Sequence, residues 1–167
     1  MTKKKYNLYL SISCNLGDRK KNISEALHLV SEAFSNVTIS SVYDVEPIGF
    51  KQQDNFLLCV VSCFTEKRLE ENWEMCLDIQ KVFEKSLTNV KNGPRNMDVD
   101  LLFYDSITIK EPIVVPHPEI QNRKCVLSAL KELDPTIIHP LLSKTVADLL
   151  EECNDDRNVE SLGKIFK

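Results

Sequence analysis

Glycine is scarce in this chain, with four in 167 residues, at Gly17, Gly49, Gly93 and Gly163. Backbone loops that cradle phosphate need several glycines close together, so neither a P-loop nor a dinucleotide fingerprint can be built here. None of the six cysteines forms a C-x-x-C pair, and His28, His117 and His139 complete no zinc spacing with them. Cys14, Cys59 and Cys63 fall in strand-like apolar runs, where a free thiol acts as a small hydrophobe. Reduced thiols and a cytoplasmic location are the expectation. No run approaches 18 apolar residues, and Asn7, Ser11 and Ser13 interrupt the amino-terminal stretch MTKKKYNLYLSISC, so neither a membrane span nor a signal peptide is expected. An excess of positive charge is missing too. The net charge of −4 argues against nucleic acid or an anionic membrane as a partner.

What is present is an ordinary globular composition, 43% apolar and 28% charged, which predicts one domain over 1–167 with a core from about 6 to 150. Tyr6, Leu8, Leu10 and Ile12 alternate as a first strand. After the turn CNLGD, Ile23, Ala26, Leu27, Val30, Ala33 and Phe34 recur at helical spacing. Val37, Ile39, Ser41, Tyr43 and Val45 predict a second strand. FLLCVVSCF (56–64) predicts a third, covered on both faces. A second helix follows, with Leu69, Trp73, Cys76, Ile79 and Phe83 on one stripe. The strand MDVDLLFY comes next, then a helix in RKCVLSALKEL and a last helix over 144–152. The order β-α-β-β-α-β is the ferredoxin-like signature, an α+β fold with a mostly antiparallel sheet and helices on one face.

Within GPRNMDVDLLFY, alternation sets Met97, Val99, Leu101 and Phe103 against Asp98, Asp100, Leu102 and Tyr104. Asp98 and Asp100 then share a face, with Cα atoms roughly 6.5 Å apart. Such a pair is either a solvated polar side or a platform for a divalent cation. Mg²⁺ takes one or two carboxylates plus phosphate oxygens. Lys81, Lys85, Lys91 and Arg95 against Glu84 give the stretch 81–95 a local charge of +3 in an acidic protein, which favours the metal–phosphate reading. Prolines flank His117, restricting the backbone that carries its imidazole. It is either aimed at a ligand or a turn residue bonded to a backbone carbonyl. Arg123, near a helix start, is either a phosphate fork or half of a surface ion pair. Together these residues point to Mg²⁺-dependent phosphoryl-type transfer.

With GPRNMDVDLLFY, VPHPEIQNR and SCNLGD in this order and spacing, the chain resembles the 6-hydroxymethyl-7,8-dihydropterin pyrophosphokinases from about Tyr6 to Leu150. The resemblance implies αβα layers with additional C-terminal helices. It also implies transfer of pyrophosphate from ATP to the pterin hydroxymethyl group with release of AMP, a step in folate biosynthesis. By that likeness Asp98 and Asp100 hold two Mg²⁺ ions, and Arg95, Lys85 and Arg123 serve phosphates or developing charge. His117, Leu101 and Lys91 belong to the ATP site. The pterin would lie among Val45, Pro47, Ile48 and Phe56. Small-molecule substrates and a monomer are implied.

The departures cluster on the pterin side. Leu58 stands where the family has an Asn that reads the ring, and Cys125 where it has a second stacking aromatic. Ser13-Cys14 replaces Gly-Ser, Asn92 replaces a Trp, and Glu84-Lys85-Ser86-Leu87 replaces Gly-Arg-x-Arg. Three readings follow: a working pterin pyrophosphokinase, the same chemistry on a different hydroxymethyl acceptor, or an inactive paralogue serving as a nucleotide-binding module.

Overall fold

The computed structural model describes residues 2–84 and 91–166. Its elements are β1 (Tyr6–Cys14), α1 (Arg19–Ala33), β2 (Ser35–Ile39), β3 (Tyr43–Val45), β4 (Phe56–Thr65), α2 (Leu69–Val82), β5 (Asp98–Tyr104), α3 (Lys124–Leu133), β6 (Ile138–His139), β7 (Lys144–Thr145), α4 (Val146–Glu152) and β8 (Val159–Ser161). A six-stranded antiparallel sheet runs β5-β1-β4-β3-β8, with β2 also paired to β4. The expected second strand is therefore two pieces. Between them Ser40 donates its N–H to the Val60 carbonyl, and its Oγ accepts the Val60 N–H in return, so a side chain stands in for a ladder carbonyl.

Local chemistry sets the helices. Asp18 accepts the Lys21 N–H at 3.1 Å and starts α1, which buries Ile23, Ala26, Leu27 and Val30. Glu71 accepts the Arg68 N–H at 2.8 Å at the start of α2. The buried stripe of α2 is Leu69, Asn72, Cys76 and Ile79, with Phe83 just beyond its end. Trp73 lies beside it, 37% exposed, against the expected stripe. Asn72 takes the inward place because its amide is satisfied there by Thr65, Lys67 and Arg68.

Helices cover both faces of the sheet, as the αβα layers implied by the resemblance require and as the strand–helix order alone did not. α1 and α2 pack against Leu8, Leu10, Ile12, Leu57, Cys59 and Val61. On the other face α3 and α4 pack against Tyr9, Leu58, Val60 and Phe103. The third helix was legible as a helix, but its face was not. The C-terminal segment, expected to lie outside the core, joins the sheet through β8. Glu46 N–H donates to the Asn158 carbonyl and Asn158 N–H to the Glu46 carboxylate.

β5 departs from simple alternation at one residue. Leu10 pairs with Leu101 and Tyr9 with Phe103, so Leu102 is extra. Beyond this bulge the faces exchange. Phe103 joins Leu102 on the α3 side, and Tyr104 turns to the α1–α2 side, where it stacks on Tyr6. Asp98 and Asp100 precede the bulge and lie opposite Ser13 and Ser11 of β1.

Candidate active site

The two acids sit on the α3-side face of β5, while Val99 and Leu101 between and beside them are buried against α1 and α2. Since β5 is an edge strand, its Val99 N–H needs a partner from outside the sheet. Gln80 of α2 supplies one, its Oε1 accepting that N–H at 2.7 Å. The strand segment between the acids is thereby tied to a helix as well as to β1.

Asp98 is the electrostatically strained member. Burial, and after it the neighbouring Asp100 charge, push its carboxyl up to about 6, with Arg95 and Arg123 opposing. Arg95 Nε lies 4.0 Å from Asp98. Its backbone is fixed by Asn15, whose Oδ1 accepts the Arg95 N–H at 2.8 Å, while Asn15 N–H and Leu16 N–H both donate to the Arg95 carbonyl. The same Asn15 amide donates to Gln53 and to the Asp54 carbonyl. Gln53 in turn donates to the carbonyls of Phe50 and Asn92. One buried asparagine thus joins the turn after β1, the loop before β4 and the loop before β5. Nothing in the sequence singled out Asn15 beyond its place in SCNLGD.

A cavity opens beside the acids. Asp98, Asp100, Arg95 and Arg123 lie at one side, with Ser13, Asn92 and Gly93. Val45, Ile48, Phe56, Leu58 and Cys125 make its more apolar walls, joined by Glu46 and Arg157. Arg123 Nε is buried and has no hydrogen-bond partner among the described residues, a donor prepared for an anion.

His117 is fixed by two backbone contacts. Its N–H donates to the carbonyl of the bulge residue Leu102 at 2.9 Å, and its Nδ1 accepts the Glu119 N–H at 3.1 Å. The neutral ring therefore carries its proton on Nε2. Burial lowers its pKa, while the Asp100 charge pulls the other way.

The structure therefore brings together Arg95, Asp98, Asp100, Arg123, Val45, Ile48, Phe56, Leu58 and Cys125 from the expected set. Pro47 is buried next to them in sequence, and Lys91 is exposed on the approach to Asn92. Leu101 has its side chain buried in the α1–α2 core, on the face away from the acids, and is not among the residues lining this cavity. Lys85 lies outside the described residues. His139, which completes no zinc spacing, is buried, with Nδ1 accepting the N–H groups of Leu141 and Leu142 and its ring edge-on to Phe103. The contribution missed from sequence is that of Glu46 and Arg157, the latter carried in by β8.

Among solved structures, the fold is shared with the HPPK-DHPS of Plasmodium falciparum crystallised with pterin and p-hydroxybenzoate, at TM-score 0.72 and 13% identity, over 90% of this chain and 43% of that one. In sequence the chain is 34% identical over 149 residues to a 2-amino-4-hydroxy-6-hydroxymethyldihydropteridine pyrophosphokinase of Aquifex aeolicus, covering 87% of this chain and 91% of that protein. A Bacillus subtilis protein of the same name is 30% identical over 128 residues, 75% of this chain and 76% of that one. The folic acid synthesis protein of Pneumocystis carinii is 31% identical, and the chain spans only 20% of its length. The profile of the 7,8-dihydro-6-hydroxymethylpterin-pyrophosphokinases matches residues 9–135, a span holding both acids, His117 and Arg123, and the chain belongs to that family.

Proposed function

We propose that this protein transfers the β,γ-pyrophosphoryl group of ATP to the hydroxymethyl oxygen of 6-hydroxymethyl-7,8-dihydropterin, yielding the pterin diphosphate and AMP. The observation that carries the reading is the division of one cavity into an ionic side, Asp98, Asp100, Arg95 and Arg123, and a more apolar side around Phe56. A highly charged donor and a flat heterocyclic acceptor each find matching chemistry there.

Asp98 and Asp100 fit a divalent cation. Two carboxylates whose joint ionisation is opposed by burial are relieved by a cation between them, and two are what Mg²⁺ takes when phosphate supplies further oxygens. Bound there, Mg²⁺ neutralises phosphate charge. Arg95 and Arg123 grip phosphate oxygens with fixed guanidinium donors, and His117 offers its Nε2–H. The acceptor ring lies against Phe56, Val45, Leu58 and Cys125, which exclude water and hold its hydroxyl toward the β-phosphorus. The oxygen attacks, the bond from that phosphorus to the bridging oxygen of AMP breaks with its electron pair, and the hydroxyl proton is released. Lys85 and Lys91 serve the same phosphates from the loop before β5.

Six unpaired cysteines support a cytoplasmic setting. A product assay tests the reading: protein, MgATP and the dihydropterin, followed for AMP, ADP and pterin diphosphate. AMP and pterin diphosphate formed together at an enzymic rate are expected. ATP binding without pterin-dependent AMP would overturn it.

A further inference from the structure

The acceptor side of the cavity carries a cation that neither the reaction nor the acid pair accounts for. Arg157 lines it with Val45, Leu58 and Cys125. Its side chain is only 14% exposed and that of its partner Asp155 only 5%. Arg157 donates from Nε at 2.9 Å and from Nη2 at 2.6 Å to the two oxygens of Asp155, a bidentate fork. Its Nη1 donates to the Glu46 carbonyl at 3.2 Å. Asp155 also accepts the backbone N–H of Lys124, the residue before Cys125, at 3.0 Å. The guanidinium is thus clamped between β3, the start of α3 and the lead-in to β8.

An arginine so held has its orientation fixed before any ligand arrives. A guanidinium carries five N–H groups, and the bonds to Asp155 and Glu46 use three, leaving two donors. Its neighbours on this side cannot replace them. Val45 and Leu58 have no polar side-chain atom, Cys125 offers a weak thiol pushed up in pKa by burial, and the Glu46 carboxylate can only accept. Ser13 and Arg95 donate from the side of the acids, where Ser13 lies opposite Asp98 in the sheet. Asn92 donates from beside Gly49, and Arg123, whose charge reaches both Asp98 and Cys125, from between the two sides.

We infer that Arg157 is a specificity-determining residue, donating a hydrogen bond to the ring carbonyl of the acceptor heterocycle and so selecting rings that present an acceptor atom there. This rests on the function proposed above. A donor clamped in a largely apolar wall penalises a ring that offers N–H at that point, because both donors are then left unsatisfied.

The test is a ratio. Binding of the dihydropterin, and of the analogue whose ring carbonyl is replaced by an amino group, is measured by calorimetry on the full chain with Mg²⁺ and a non-hydrolysable ATP analogue. The unmodified protein should prefer the carbonyl form by about tenfold to a hundredfold. Arg157→Met should bring the two affinities within about threefold, mainly by weakening the carbonyl form. Since that variant strands a buried carboxylate, the pair Asp155→Asn with Arg157→Met is measured beside it and should give the same collapse. A purely structural role would lower both affinities together and keep the ratio. A preserved ratio in either variant would overturn the inference while leaving the proposed reaction standing. Failure of the unmodified protein to bind either ring would overturn both.

Discussion

Asp98 and Asp100 stand two residues apart on one face, and Arg95 and Arg123 relieve their mutual repulsion only in part. The carboxyl of Asp98, ordinarily near 3.8, is pushed up to about 6, so the metal-free folded protein holds that proton more tightly than the unfolded chain. The sign follows directly: stability falls as pH rises through this interval, and above about 6 the whole penalty is present. Asp98→Asn should therefore stabilise the metal-free protein at pH 8, by on the order of 1 kcal/mol once partial exposure is allowed for. The same substitution should cost at least about a thousandfold in kcat, because it removes a charged contact made where phosphate charge must be held. Thermal unfolding in a chelator, beside single-turnover kinetics with Mg²⁺, checks both halves. A variant less stable at pH 8, or one as active as the parent, would contradict this account of Asp98.

At the scale of elements, the link between α2 and β5 deserves a direct measurement. Gln80 supplies the acceptor for the Val99 N–H, which an edge strand would otherwise leave to solvent or unpaired. Gln80→Ala should cost about 1 kcal/mol of stability. It should also lower kcat more than it raises the KM for ATP, since it loosens the acids without touching the cationic donors. Denaturant unfolding and steady-state kinetics on the one variant read both effects. Much of this level was legible in the sequence. Period-two and helical patterns located β1, α1, α2 and α3, where the apolar residues repeat against one core, and an unbroken apolar run located β4, which is covered on both faces. The acid pair was read from the alternation of β5, and Arg95 and Arg123 from local charge, chain position and the resemblance. Three things were not. The break between β2 and β3 depends on Ser40 taking over a ladder bond, which no periodicity announces. The bulge at Leu102, which moves Phe103 to the face of the acids, has no signal in the alternation. β8 and Arg157 escaped because their role comes from contacts across more than 100 residues, Arg157 to Glu46 among them, in a polar segment with no pattern of its own.

For the molecule as a whole, a histidine outside the cavity adds to the acid sensitivity that half-buried His117 brings. His139 is buried, accepts two backbone N–H groups at Nδ1, and has its pKa lowered by burial from the ordinary 6.5. The unfolded chain takes up that proton more readily than the folded one, so stability is lost as pH falls below about 6.5. Midpoints of denaturant unfolding between pH 7.5 and 5 should decline, and His139→Asn should flatten the decline while lowering stability at pH 7.5. A parallel decline in the variant would assign the acid sensitivity elsewhere. The bulge at Leu102 has a different kind of consequence, for changes of length. Deleting Val99, with the far end of β5 held in place, would turn Asp98 into the core under α1 and α2. Deleting Leu102 itself would leave Leu10 opposite Leu101 and Tyr9 opposite Phe103, surrendering only one packed side chain and the carbonyl that tethers His117. A single-codon deletion is thus fatal to chemistry at Val99 and survivable at Leu102.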